Sequence, residues 1–219
     1  MSLIVYGVPL SPYVRKVRLC LAEKALAYQL EIILPFDQPA WFKDINPLQR
    51  IPALKDGDVV LADSSVICQY LEDKFPETQA LLGTNAVERA QVRWIEKYAD
   101  YELAPLTTFT VFSQRVLRPS MNQPTDEAVV QLAMQEKLPP LFDYLEKYLG
   151  DAEYFVGNNL SLADLAFVCQ ITNMGYGGER LDEQRWPKLS ALYARVKARP
   201  SLQAVLPGEQ KILASLVKK

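Results

Sequence analysis

Hydroxyls, thiols, amines and carboxylates must carry any chemistry of this chain, because none of its 219 residues is a histidine. That absence excludes Ser-His-Asp and Cys-His nucleophile arrangements. It also excludes phosphohistidine relays and His-ligated zinc, iron or copper. The remaining polar residues of interest stand at helix starts. Ser11 directly precedes Pro12, Asp63-Ser64 precedes an apolar run, and Ser161 stands three residues before Asp164. Each reads first as an N-cap, and Ser161-Leu162-Ala163-Asp164 as a capping box with Leu160 poised to staple to Leu165. A helix start also presents unpaired N–H groups that attract anions. Tyr6, five residues before Ser11, offers a competing hydroxyl on a β-prone run. If the chain is an enzyme, one of these groups handles the proton, or the nucleophile arrives with the substrate.

The elements that would position these residues fall into two halves. Leu3–Tyr6 predicts a strand ended by Gly7, and Ser11-Pro12 opens a helix with Val14, Val17, Leu21 and Ala25 on one stripe. Arg15, Lys16 and Lys24 lie off that stripe. Residues 28–34 predict a second strand and 39–45 a short helix. Ala53–Lys55 and Val59–Leu61 flank Asp56-Gly57-Asp58, which predicts a hairpin. Asp63-Ser64 then caps a helix carrying Val66, Ile67, Tyr70 and Leu71. The order β-α-β-α-β-β-α predicts a small mixed sheet with helices on both faces. Residues 78–84 read as a linker, after which strand signals vanish. Long helices are expected over 87–117, bent at Pro105, and over 125–149, kinked at Pro139-Pro140. Residues 118–124 read as a loop. Helices over 162–174, 189–198 and 211–217 complete the chain, with Gly175-Tyr176-Gly177-Gly178 as a flexible loop. That run is no dinucleotide fingerprint, since no strand precedes it.

Composition agrees with a globular protein: 49% of residues are hydrophobic and 23% charged. Lys plus Arg is 24 and Asp plus Glu is 26, a net charge of −2. Nucleic-acid binding needs a basic surplus, so none is expected. No apolar run approaches the ~20 residues that span a bilayer, and no basic segment followed by a long apolar stretch opens the chain. Cys20, Cys68 and Cys169 are too widely spaced for a redox pair or metal site. Each reads as a small buried hydrophobe in a reducing compartment. The expectation is a cytoplasmic protein without membrane, nucleic-acid or metal partners.

Four patterns arrive in a fixed order: Ser11-Pro12-Tyr13-Val14-Arg15-Lys16-Val17, then 46–54 (Asn46-Pro47-Leu48-Gln49-Arg50-Ile51-Pro52-Ala53-Leu54), then 63–71 from Asp63-Ser64 to Tyr70-Leu71, then Ser161-Leu162-Ala163-Asp164. Together with Trp186-Pro187 and Arg199-Pro200 they resemble the cytosolic glutathione S-transferase family, of the bacterial, serine-type kind. The resemblance spans nearly the whole chain. It implies an α/β thioredoxin-like N-terminal domain over 1–77, an all-helical C-terminal domain over 86–219, a homodimer, and glutathione as cosubstrate.

The same resemblance gives each residue an expected role. Ser11 would donate a hydrogen bond to the glutathione sulfur. A free thiol has a pKa of about 8.5, and lowering it by about 2 takes roughly 2.7 kcal/mol. One hydroxyl donor to an anion supplies about 1.5–3 kcal/mol, and a helix start adds a few tenths. The two suffice without an imidazole. Other classes of the family use a tyrosine at the end of the first strand, the place of Tyr6. Ile51 would pair its backbone with the cysteinyl unit across a cis bond to Pro52. Arg50 would reach the glycine carboxylate, although Gln49-Arg50 departs from the Gly-Lys common in relatives. Ser64 would bind the γ-glutamyl carboxylate. Asp63 would hold the ammonium, with a side chain one methylene shorter than the more usual Glu. Leu10, Tyr13, Tyr101, Thr108 and Phe112 would line the electrophile pocket, whereas helical spacing alone also allows Phe109 and Phe112 to be core.

The function this implies is detoxification: transfer of glutathione to a small, hydrophobic electrophile. The same thiolate would serve a peroxidase, an isomerase or a dehalogenase. A non-enzymatic interaction protein of the stringent-starvation type would share the fold and tends to lose the ligand motifs.

Overall fold

The structure, a computed structural model, describes residues 3–217. Strands β1 (Leu3–Tyr6), β2 (Tyr28–Glu31), β3 (Ala53–Asp56) and β4 (Val59–Ala62) form one sheet in the order β2-β1-β3-β4. β1 and β2 are parallel, joined over α1 (Pro12–Glu23). β3 runs antiparallel to β1 and turns through Gly57, φ +61°, into antiparallel β4. The short helix α2 (Phe42–Ile45) precedes β3, and α3 (Ser64–Lys74) follows β4. This is the order expected from the sequence. β2 stops at Glu31, short of the expected 34, and only Ile33 of the remainder is buried.

The second half is helical. α4 is a rod over 86–120: α-helical Ala86–Tyr98, then Ala99–Leu103, Ala104–Leu106, Thr107–Leu117 and Arg118–Ser120. α5 covers 127–149 as Glu127–Leu132, Ala133–Lys137 and Leu138–Leu149. α6 (Leu162–Tyr176), α7 (Pro187–Lys197) and α8 (Pro200–Val217) follow. Helix α6 has every residue from Leu162 to Met174 buried. It is the axis of the molecule, packing on α1 from the first half and on α4 and α7 from the second.

Prolines explain the shape of the rods. Segments Ala99–Leu103, Thr107–Leu117 and Ala133–Lys137 have wide turns, and each ends two residues before Pro105, Pro119 or Pro139. In each case the residue before the proline donates five residues back: Ala104 to Ala99, Arg118 to Ser113, Leu138 to Ala133. A proline has no N–H and its ring crowds the preceding turn. Widening that turn carries the helix past it without a break. The expected loop at 118–124 therefore begins only after Ser120, and α4 passes through Pro119.

Arg15, Lys16 and Lys24, off the apolar stripe of α1, are 0%, 1% and 3% exposed. α1 lies between the sheet and α6, so its off-stripe residues are buried too. Each is paired: Arg15 with Glu209, Lys16 with Glu96 and Asp100, Lys24 with Glu72. Gly175 and Tyr176 extend α6 rather than forming a loop. Gly177 caps the helix where a Cβ would lie 2.7 Å from Val111 Cγ1, so only glycine lets α6 and α4 approach this closely. The capping box forms as expected: the Asp164 carboxylate accepts from Ser161 N–H at 2.8 Å and from Phe155 N–H at 2.9 Å.

Candidate active site

The register of the sheet gathers the sequence motifs. Ala53 pairs with Tyr6 on one side and Ala62 on the other. The residues just past this row are Gly7, Pro52 and Asp63, so the loop to Ser11, the Ile51-Pro52 bond and the start of α3 meet at one end of the sheet. Gly7 permits the meeting. Its φ is +149°, its N–H reaches Glu31 O at 3.0 Å, and a Cβ there would overlap Val14 of α1 and approach Ile51.

Ser11 caps α1. Its Oγ accepts from Val14 N–H at 3.3 Å, and its backbone is extended at φ −70°, ψ 125°. Capping uses one lone pair of the hydroxyl, which leaves its O–H free to donate. The residue is half-buried at the positive end of the helix. Tyr6 is different. Its ring is 5% exposed and meets Trp41 and Phe42 edge-on at 5.9 and 6.2 Å. Burial, followed by the charge of Glu31, pushes its hydroxyl pKa up.

The loop into β3 is built by Asn46, a residue to which the sequence assigned no role. Asn46 is buried; its Nδ2 donates to Arg50 O at 2.7 Å and its Oδ1 accepts from Leu48 N–H at 3.0 Å. Gln49 takes φ +52°, a conformation glycine adopts at no steric cost. The departure from glycine thus keeps the loop at a backbone cost, and Gln38 Nε2 donates to Gln49 O at 2.8 Å. Arg50 is exposed, and the Ile51-Pro52 peptide is cis.

At α3 the Asp63 carboxylate caps its own helix, with Oδ1 accepting from Ser65 N–H at 2.8 Å and Val66 N–H at 3.3 Å. Asp63 does so at φ +74°. Ser64, 4% exposed, is the first helical residue, and its N–H is the helix-start amide that Asp63 leaves uncapped. Beneath it lies a buried ionic cluster. Lys16 Nζ donates to Glu96 at 2.9 Å, to Asp100 and to Ser65 Oγ at 3.3 Å, while Lys97 Nζ donates to Ser65 Oγ at 2.9 Å. Burial alone would lower the Lys16 pKa, but Asp100 and Glu96 raise it well above the ordinary lysine range. The cluster ties α1, α3 and α4 together below the helix start.

Of the expected pocket wall, Tyr13 lies beside Phe109, ring centroids 6.4 Å apart, and Tyr101 is 62% exposed. Leu10 is largely buried next to Ser11. Thr108 donates its hydroxyl to Gln170 Oε1 at 2.8 Å, and Phe112, 3% exposed, packs against Tyr176. Phe109, left between wall and core by its spacing, is 60% exposed. Among the described residues no cluster of three or more His, Cys, Asp or Glu side chains is arranged to hold a metal ion.

Ser11 at the start of α1, the backbone edge after Arg50, and Asp63-Ser64 at the start of α3 thus stand together at one end of a thioredoxin-like sheet. The glutathione S-transferase N-terminal domain matches residues 5–79 and the C-terminal domain of the same family residues 113–207. A glutathione S-transferase of Triticum aestivum is 31% identical over 209 residues, 94% of each chain. A probable maleylacetoacetate isomerase of Vibrio cholerae is 29% identical, covering 96% of this chain and 98% of its own. The crystal structure of a glutathione S-transferase from Rhodospirillum rubrum superposes with a TM-score of 0.84 at 29% identity, over 93% of this chain and 91% of that one. The chain belongs to the glutathione S-transferase family and has its fold.

Proposed function

We propose that this protein is a serine-type glutathione transferase. Glutathione binds in the first domain, within 1–77; the electrophile binds against the helical domain, 86–219. The observation that carries this reading is Ser11, whose capping geometry leaves its O–H free at the start of α1. The hydroxyl and the helix end favour the thiolate over the thiol. The thiol proton leaves to solvent, and the thiolate attacks an electrophilic carbon. A C–S bond forms while a leaving group departs or a double bond takes up the electron pair.

Arg50 takes the glycine carboxylate, Ile51 the cysteinyl backbone, Ser64 the γ-glutamyl carboxylate and Asp63 the ammonium. Leu10, Tyr13, Tyr101, Thr108 and Phe112 form or back the electrophile wall, joined by Phe109. The exposure of Tyr101 and Phe109 beside Tyr13 supports an apolar, aromatic-accepting pocket. Our reading also includes a cytoplasmic homodimer. The exposure of Val59 and Val60 leaves edge strand β4 with uncovered apolar residues, which supports a partner there, and mass measurement in solution tests it.

Isomerisation is the second reading, favoured by the Vibrio cholerae relative. It uses the same thiolate, which adds to a conjugated carbon and leaves after rotation. One experiment separates the readings. A thermal-shift titration with glutathione at about 100 times Kd should add about 2.7 kcal/mol of stability. A panel of aryl halides, enones, hydroperoxides and cis-enediones then assigns the reaction. No shift at millimolar glutathione points instead to an interaction protein.

A further inference from the structure

Asn173 lies in the last turn of α6, within its buried run from Leu162 to Met174, and is itself 0% exposed. A buried amide at such a position is unfavourable unless its polar atoms are bonded. Both are. Oδ1 accepts from Arg15 Nη1 at 2.8 Å, and Nδ2 donates to Leu10 O at 3.2 Å. The orientation of the amide is dictated by its neighbours. Arg15 also donates through Nη1 to Cys169 O at 3.0 Å and through Nε to Glu209 at 3.0 Å, and Tyr176 O–H donates to Glu209 at 2.7 Å. The guanidinium presents only donors, so the oxygen of Asn173 faces it and the NH2 faces Leu10.

Leu10 O belongs to the peptide unit whose nitrogen is that of Ser11. The other end of the unit is also held, because Ser11 N–H donates to Val8 O at 3.1 Å. The Leu10–Ser11 plane is therefore fixed from both sides, one bond local and one from a helix 163 residues away. That plane sets the Ser11 N–Cα bond, and with φ held at −70° by the start of α1 the Cα–Cβ direction follows.

Resting on the reading of Ser11 as the thiol donor, we propose that Asn173 is a positioning residue. By donating to the Leu10 carbonyl it aims the Ser11 hydroxyl at the glutathione sulfur, and Arg15 and Glu209 hold the amide in the donating orientation. A hydrogen bond to an anion weakens steeply once its angle is lost. The contribution of Asn173 is thus expected in the thiolate equilibrium more than in glutathione binding.

The test is Asn173→Asp, which keeps the volume and the acceptor facing Arg15 and replaces the donor facing Leu10 with a second acceptor. Asn173→Ala, which removes both, accompanies it. The readout is the pKa of enzyme-bound glutathione, from thiolate absorbance against pH. This is a property of each folded molecule and does not depend on how many fold. Both variants should raise it by about 1, a tenfold loss of thiolate below that pH. kcat should fall to match and recover at alkaline pH, with KM for glutathione changed less than about threefold. A lowered Tm with the bound-thiol pKa unchanged overturns the proposal and leaves Asn173 as structural glue. Ser11→Ala is measured alongside. If it leaves the pKa unchanged, the reading of Ser11 falls and takes this proposal with it. If it raises the pKa while both Asn173 variants do not, only the positioning role falls.

Discussion

The Tyr13 hydroxyl, on α1, donates to the backbone carbonyl of Asp100, on α4, at 3.1 Å. That carbonyl lies in the wide-turned segment before Pro105, where Ala104 N–H is already taken by Ala99 O. The nitrogen five residues after Asp100 is that of Pro105, which carries no hydrogen. A side chain from the other half of the molecule fills the vacancy. The same arrangement recurs at Pro119, where Thr125 Oγ1 donates to Gln114 O at 2.8 Å. A proline thus creates the acceptor that joins α1 to α4 beside the site.

The energetics of this bond can be read from a double-mutant cycle. Tyr13→Phe should cost about 1–3 kcal/mol in denaturant unfolding, the penalty for an orphaned, partly buried carbonyl. Pro105→Ala restores an N–H, so Tyr13→Phe should cost less in that background, with a coupling of at least about 0.5 kcal/mol. Additive effects would show that the cost of losing the Tyr13 hydroxyl does not arise from the donor missing at Pro105.

Gln49 offers a change in the other direction. It holds φ +52°, which costs a side-chain-bearing residue about 1 kcal/mol or more. Gln49→Gly should leave stability unchanged or raise it by up to about 1 kcal/mol, with the loop to Arg50 still fixed by Asn46. A loss above about 1 kcal/mol would mean that the Gln49 side chain makes a contribution its backbone geometry does not reveal.

Glu23 gives a pH dependence of known sign. Burial alone raises its pKa, but hydrogen bonds from Arg199 and Ser201 outweigh that and hold it below the usual glutamate range. A depressed folded pKa means the stabilisation is complete above the unfolded value, about 4.3, and is lost as pH falls through the folded value. Glu23→Gln should therefore lower Tm at pH 7, by roughly 3–12 °C for a loss of about 1.5–3 kcal/mol. The gap to the unmodified protein should close progressively below pH ~4.3. A gap independent of pH would assign the effect to packing.

The parts of the site set by local chemistry were legible in the sequence. Ser11, Asp63 and Ser161 announce helix starts because an N-cap is a contact within three residues, and Asp56-Gly57 announces the hairpin for the same reason. The parts set by distant partners were not. Arg15 looks like a surface residue until Glu209, 194 residues away, is placed against it. Asn173 sits in a largely apolar helix, and its partners Arg15 and Leu10 lie more than 150 residues away in the chain. The prolines were legible as places of lost hydrogen bonds, but the widened turn that carries α4 through Pro119, where a loop was expected, was not. Asn46 carried a findable signal, an asparagine before a proline in a loop, where side-chain capping of nearby backbone is common.

A serine hydroxyl and a helix start, acting without an imidazole on a borrowed thiolate, leave a signature in the thiolate absorbance of bound glutathione, titrated in the intact protein and in Ser11→Ala. The bound-thiol pKa should lie about 2 below the free value of about 8.5 in the intact protein and return most of the way in Ser11→Ala. A low pKa that survives Ser11→Ala and disappears in Tyr6→Phe would contradict this and transfer the role to Tyr6.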